Sequence, residues 1–341
     1  MVIVMRPDSK ESEIQEVAKV VSSLGLGVHI SQGTERTIIG IIGDKRKLGD
    51  VPLELMSGVE KLVHIAESYK LSSKTFKPNP SVIDVNGVKI GGKELAIMAG
   101  PCAVESREQI LEAAKAVKKA GAQFLRGGAF KPRTSPYSFQ GLEEEGLKLL
   151  KEAKEATGLL IVSEVTSERA VEIASKYVDM FQIGARNVQN FQLLREVGRS
   201  KKPVLFKRGV ATTINEWLNA AEYIMSEGNY NVVLCERGIR TFETATRNTL
   251  DISAIPVVKS LSHLPIIVDP SHAAGKSIYI SALSKAAIAA GADGLIVEVH
   301  PQPKMALSDA AQQLPPDEFS RLCKDIEDIA KIIGREFKYG G

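Results

Sequence analysis

The chain has 341 residues, 44% of them hydrophobic and 25% charged, with a formal net charge of +3. That composition fits a soluble globular protein with one large and one small domain; it excludes a general nucleic-acid surface, and no apolar run reaches the ~20 residues a membrane span needs. Three widely spaced cysteines exclude a disulfide framework, and the opening MVIVMRPDSK lacks the order of a signal peptide, so a reducing cytoplasmic location is expected.

Residues 1–66 read as a unit of their own. A short strand over residues 2–5 precedes a helix over 10–24, capped by Ser9, with Ile14, Val17, Val20, Val21 and Leu24 on one face. Strands are expected over 27–31 and 37–42, a second helix over 45–56 and a closing strand over 59–65. The order βαββαβ is the ferredoxin-like pattern. Residues 67–80 are polar, end in Pro-Asn-Pro and read as a linker. Asn86-Gly87 then marks a two-residue hairpin within residues 82–90.

From there the rhythm changes. Buried-looking strands are expected over 95–99, 123–127, 159–164, 180–183, 204–207, 232–236, 265–268 and 294–299. Amphipathic helices follow most of them, over 108–120, 143–157, 214–228 and 278–290, with the weakest pattern over 244–259. Eight strands alternating with helices predict an α/β fold, a (β/α)8 TIM barrel over residues 81–341, with a doubly wound open sheet as the alternative. The strands end in chemistry: Gly100-Pro101-Cys102, Arg126-Gly127-Gly128, Glu164, Gly184-Ala185-Arg186, Lys207-Arg208-Gly209, Glu236-Arg237-Gly238, Asp269-Pro270-Ser271-His272 and Glu298-Val299-His300. In a barrel all of these face one mouth.

The stretch LRGGAFKPRTSPYSFQG, residues 125–141, holds Arg126, Lys131 and Arg133 with no carboxylate, and adds the hydroxyls of Thr134, Ser135, Tyr137 and Ser138. Cations, hydroxyls and exposed N–H groups on a loop suit a multiply charged anion. With Arg186, Lys207 and Arg237 they would ring the mouth with positive charge, which points to a phosphorylated substrate. Cys102, His272, Glu298 and Asp309 offer a thiol, an imidazole and two carboxylates, a donor set for a divalent metal. His300 is a candidate supporting group, whereas Cys235 and Cys323 read as core. Lys207 could instead form a Schiff base with a carbonyl substrate, and the residues alone leave that open. No Walker loop, dinucleotide turn or nucleophile elbow is present.

AGPCAVES, LRGGAFKPRTSPYSFQG, QIGARNVQN, LFKRG, LCERGIRTFE, VDPSH and IVEVHP, in this order, resemble the 3-deoxy-D-arabino-heptulosonate 7-phosphate (DAHP) synthases. The resemblance implies a metal-dependent transferase that condenses phosphoenolpyruvate with erythrose 4-phosphate at the entry to the shikimate pathway. It implies a divalent ion (Mn, Fe, Co, Zn or similar) on Cys102, His272, Glu298 and Asp309. It places phosphoenolpyruvate at Arg126, Lys131, Arg186, Lys207 and Arg237, and the aldose phosphate at Arg133, Thr134 and Ser135. For the chemistry itself, Lys131 is the candidate proton donor, with metal-bound water or Glu164 as the helper. The sister family, 3-deoxy-D-manno-octulosonate 8-phosphate synthase, has a loop resembling KANRTS where this chain has KPRTS, which favours the four-carbon sugar. The N-terminal unit is similar to a regulatory extension through which tyrosine or phenylalanine inhibits, with His29 and Ser31 at the effector position. A homotetramer or dimer is implied. The alternative of a different class is a non-catalytic phosphate and amino-acid sensor.

Overall fold

The computed structural model describes every residue except 34, 35, 44, 50, 64–67, 132–134, 136, 338 and 341. These residues form two units, 1–80 with 260–263, and 81–259 with 264–341.

In the first unit, β1 (Val2–Met5), α1 (Glu11–Ser23), β2 (Gly27–Gln32), β3 (Thr37–Ile42) and β4 (Val59–Val63) follow in sequence. They build an antiparallel sheet in the order β2-β3-β1-β4. Ile14, Val17 and Val21 of α1 pack on Ile3, Met5, Ile39 and Ile41, so one face of the sheet is the core. Ser9 does not cap the helix: its hydroxyl donates to the carbonyls of Arg6 and Gly58, and the Glu13 carboxylate instead accepts from the Lys10 N–H at 2.8 Å. The expected second helix is two 3-10 turns, Lys45–Leu48 and Leu53–Leu55. Gly49, at a φ of 50°, and Pro52 fall between them and interrupt the helical hydrogen bonding.

Residues 68–80, expected as a linker, carry the buried side chains Tyr69, Leu71 and Phe76. Phe76 lies on the sheet at Gly40, where any Cβ would fall 2.1 Å from the ring, so that position requires glycine. Residues 260–263 join this unit through polar contacts. Ser262 Oγ donates to Ser72 O at 2.5 Å, Lys74 N to Leu261 O at 2.9 Å, and His263 Nε2 lies 2.7 Å from Leu71 O.

The second unit opens with the hairpin β5 (Ile83–Val85) and β6 (Val88–Ile90). Asn86 and Gly87 both have positive φ, 47° and 93°, as a tight primed turn demands. The barrel strands are β7 (Ala96–Gly100), β8 (Phe124–Arg126), β9 (Leu160–Glu164), β10 (Met180–Ile183), β11 (Val204–Lys207), β12 (Val232–Glu236), β13 (Ile266–Val268) and β14 (Gly294–Glu298), all parallel and closed by β14 on β7. The helices are α2 (Arg107–Lys119), α3 (Glu143–Thr157), α4 (Glu168–Ala174), α5 (Phe191–Arg199), α6 (Ile214–Ser226), α7 (Ala254–Leu261), α8 (Pro270–Ala274), α9 (Ile280–Ala289) and α10 (Pro316–Ile332). Ser106, Ser167 and Thr213 cap α2, α4 and α6 through their hydroxyls. No helix of the described residues is long and apolar enough to cross a membrane.

Met98, Phe124, Val162, Met180, Leu205, Val233, Ile267 and Ile296 fill one core cluster with Ile83, Val85 and Ile90 of the hairpin. Asp179 and Asp293, each just before or at the start of a strand, accept the backbone N–H of Ile161 at 2.7 Å and Ile266 at 2.9 Å, and are neutralised by Lys154 and Lys259. These contacts stiffen the end of the barrel away from the strand C-termini, where the functional side chains sit.

Burial pushes the His263 pKa down to about 4. The unfolded chain takes up its proton near pH 6.5 while the folded unit does not, so stability falls as pH drops from 6.5 toward 4. Urea unfolding is expected to lose about 2 kcal/mol between pH 7 and pH 5 from this group, and His263→Gln to remove that contribution to the slope.

Candidate active site

Among the described residues, the candidates for metal and phosphoenolpyruvate sit at the C-terminal ends of barrel strands or in the stretches that follow. The described residues contain a cluster of potential metal ligands, Cys102, Glu298 and Asp309, whose donor atoms lie within 4.8 Å of one another. Cys102 follows β7, Glu298 ends β14, and Asp309 stands ten or so residues on, at an unusual φ of 48°. His272, in α8 after β13, completes the expected set, with Nε2 3.5 Å from Glu298 Oε1.

The electrostatics suit a metal. Burial, then the charge of Glu298, pushes the Cys102 thiol up to about 12, so without an ion it keeps its proton. Burial lowers the His272 pKa, which favours the neutral imidazole a metal needs. Burial alone would raise Glu298, but His272 and Arg126 outweigh it and hold the carboxylate ionised. Arg126 donates to Glu298 Oε1 at 2.8 Å, and Gln312 Nε2 to Oε2 at 2.7 Å. Gln313 accepts from the Cys102 N–H at 3.0 Å and donates to Ser308 O at 2.8 Å, tying two ligand-bearing loops together. His272 Nδ1 is 2.7 Å from Asp269 Oδ2, without the alignment of a hydrogen bond.

Adjoining this cluster through Asp309 is a pocket lined by Lys131, Arg186, Lys207, Arg237 and Arg247, with Glu164 and His272. Five cations face two carboxylates there, an imbalance that suits a polyanion. Lys207 is ion-paired with Asp269, and burial raises the Asp269 carboxyl pKa less than His272 and Lys207 lower it, leaving it well below the usual range. Lys131 Nζ donates to Cys102 O at 2.9 Å and stands 3.1 Å from Sγ. Glu164 accepts from Gln182 at 3.3 Å and packs so tightly on Gly184 that a Cβ there would fall 2.0 Å from its Oε1.

Not every expected residue lines this pocket. Arg126 is buried and turned to Glu298 and Pro101 O, leaving its Nε without a partner. Arg133 and Thr134 lie outside the described residues, and Ser135 is exposed. His300 contacts Glu105 at 3.4 Å, and Glu105 accepts from Leu307 N–H at 2.9 Å, linking the first and last barrel loops. In the first unit His29 and Ser31 share one face of β2, and the His29 ring lies 4.6 Å from that of Phe76. Burial, then Lys77, lowers the His29 pKa.

Sequence reasoning missed Arg247, Asp269 and the two glutamines. Asp269 was visible in the strand end DPSH. Arg247 was hidden because residues 244–259 read as a helix, whereas α7 begins only at Ala254. The preceding stretch stays a loop because Arg208 holds Glu236 at 3.0 Å and Asp251 at 2.8 Å, and Glu236 accepts the Gly238 N–H at 2.6 Å. Those three charges pin both ends of the excursion that carries Arg237 and Arg247.

Residues 69–334 match the DAHP synthetase I family. The chain belongs to that family. Residues 1–67 match the DAHP synthase ferredoxin-like domain. The chain is 51% identical to phospho-2-dehydro-3-deoxyheptonate aldolase of Thermotoga maritima, over 98% of its own length and 99% of that protein. It is 33% identical to 2-dehydro-3-deoxyphosphooctonate aldolase of Syntrophotalea carbinolica, over 74% of its length and 98% of that protein. The crystal structure of the Thermotoga maritima DAHP synthase is similar at a TM-score of 0.79 and 50% identity, covering 99% of each chain. A truncated form of that enzyme is similar at 0.74 and 47% identity, covering 79% of this chain and 99% of the other. The family assignment agrees with the eight-stranded barrel and with the ferredoxin-like order of the N-terminal sheet.

The Arg126–Glu298 pair is expected to dominate the local stability of the site. Arg126→Met strips a buried carboxylate of a charged partner and should cost about 3 kcal/mol in urea unfolding of metal-free protein. Adding Glu298→Gln should recover more than half of that loss; equal losses in the single and double variants would refute the pairing.

Proposed function

We propose that this chain is a DAHP synthase: a cytoplasmic, metal-dependent transferase that condenses phosphoenolpyruvate with erythrose 4-phosphate and water to give DAHP and phosphate, at the entry to the shikimate pathway of aromatic amino acid biosynthesis. One observation carries this reading: Asp309 of the ligand cluster and His272, whose Nε2 is 3.5 Å from Glu298 of that cluster, both line the cationic pocket, so a bound polyanion would lie against the metal position. The identity of 51% along nearly the whole chain favours the four-carbon aldose over arabinose 5-phosphate, since the octulosonate relative covers only 74%.

On this reading Cys102, His272, Glu298 and Asp309 would hold a divalent ion, which would supply Lewis acidity toward a carbonyl oxygen. Arg186, Lys207 and Arg237 fix the phosphate and carboxylate of phosphoenolpyruvate, turning an encounter into an oriented reaction. Arg126 serves by holding Glu298 rather than by touching that substrate. Arg133, Thr134 and Ser135 take the aldose phosphate. Lys131 delivers a proton to the oxygen that gains charge, and Glu164, kept in place by Gln182, assists at the carbon that receives water. Lys207 is not a Schiff-base lysine on this reading, because an ammonium ion-paired to buried Asp269 is a poor nucleophile. The N-terminal unit, residues 1–66 with the segment 67–80 joining it to the barrel at 81–341, is the regulatory domain of a homotetramer or dimer. Tyrosine or phenylalanine binds it near His29 and Ser31.

Phosphate release from the two substrates is expected to vanish on chelation and return with Mn2+ or Co2+, and arabinose 5-phosphate is expected not to replace erythrose 4-phosphate. Cys102→Ala should cut metal-restored turnover by about 100-fold or more with an unchanged circular dichroism spectrum. Full activity in chelator would overturn the metal role. Tyrosine or phenylalanine should inhibit the native enzyme, and His29→Ala should raise the inhibitory concentration about tenfold with the uninhibited rate preserved; inhibition that His29→Ala leaves unshifted would remove His29 from the effector site.

A further inference from the structure

Gln312 touches both halves of the candidate site. Its side chain is almost fully buried, 2% exposed. Nε2 donates to Glu298 Oε2 at 2.7 Å, and Oε1 accepts from an Arg247 guanidinium nitrogen at 3.0 Å. The same guanidinium nitrogen stands 3.6 Å from Asp309 Oδ2, and Arg247 lines the anion pocket. Through its main chain Gln312 also donates to Asp309 O at 3.2 Å, closing the short turn Ala310–Gln312 that presents Asp309.

The amide has one possible orientation here. A carboxylate oxygen can only take its NH2, and a guanidinium can only give to its C=O. Both polar ends are therefore committed, one to a residue of the ligand cluster and the other to a cation of the pocket. With Arg126 on Oε1 and Gln312 on Oε2, the Glu298 carboxylate cannot turn about its own axis without breaking a short, buried hydrogen bond. A glutamate or a hydrocarbon at position 312 would keep the volume and lose this link.

We propose that Gln312 is a positioning residue that couples occupancy of the anion pocket to affinity at the metal cluster. The inference rests on the metal and anion assignments made above. An anion seated on Arg247 holds that guanidinium in place against Gln312 Oε1, and the opposite end of the same amide fixes the orientation of Glu298, so an occupied pocket tightens the hold of the cluster on its ion. By linkage the effect is reciprocal: an ion seated on Glu298 changes the affinity of the pocket for the anion by the same factor.

The test measures Co2+ affinity by chelator competition, with and without inorganic phosphate, for the full-length native protein, Gln312→Met and Gln312→Glu. Native protein is expected to bind Co2+ about fivefold or more tightly with phosphate present. Gln312→Met should bind Co2+ about 10- to 100-fold more weakly, with the phosphate effect below about twofold, while its far-ultraviolet circular dichroism matches the native protein. Gln312→Glu, which keeps an acceptor for Arg247 but gives Glu298 no donor, should behave like Gln312→Met. A native-sized phosphate effect in either folded variant overturns the proposal, as does native protein that binds Co2+ with no response to phosphate. Native protein that takes up no Co2+ at all overturns the metal assignment itself, a result distinct from the other two.

Discussion

Buried carboxylates matched to buried cations hold the mouth of this barrel together. Glu298 meets Arg126, Asp269 meets Lys207, and Glu236 meets Arg208, all at the C-terminal ends of strands and nearly closed to solvent. Removing one partner from such a pair is far more costly than never building it, because the other charge stays desolvated. These pairs therefore constrain which side chains can occupy the strand ends. They also set the direction in which the remaining cations point.

The consequence is a division of labour among the positive side chains. Arg126 and Arg208 are consumed below the rim, where they brace Glu298 and the loop carrying Arg237 and Arg247. Lys131, Arg186, Lys207, Arg237 and Arg247 face the pocket. Lys207 belongs to both groups, since its ammonium reaches Asp269 and still lines the cavity. The pocket is positive because the carboxylates nearby are already committed to other partners, and not because the protein as a whole is basic: its net charge is only +3.

The barrel was legible because each strand ends in a charge, a glycine or both, and because strand and helix periods alternate eight times. The strands at 180–183, 204–207 and 232–236 match to the residue. The same regularity concealed what departs from it. Residues 45–56 have helical spacing, but Gly49 and Pro52 leave only 3-10 turns. Residues 244–253 have helical composition, but Asp251 is drawn to Arg208 and caps α7 instead, accepting the Ala254 N–H at 3.1 Å. Cys102, Glu298 and Asp309 were legible as chemistry, and their convergence is a matter of topology. A cation buried at a strand end needs an anion, and for Arg126 that anion is Glu298 rather than a ligand in the pocket. Gln312 and Gln313 gave no sign, since a neutral amide in a loop has no signature until its partners are placed.

Barrel closure itself has a temporal side. Cys102 follows the first barrel strand, whereas Glu298 ends the last, and the two meet only because β14 pairs with β7 across the seam, from Gly294 on Ala96 to Glu298 on Gly100. Some two hundred residues must leave the ribosome between the thiol and its carboxylate neighbours. A growing chain thus displays Cys102 for most of its synthesis without any chelating company, and the donor set exists only after the eighth strand has docked. Convergence of these three donors is in this way a late event, gated by completion of the cylinder.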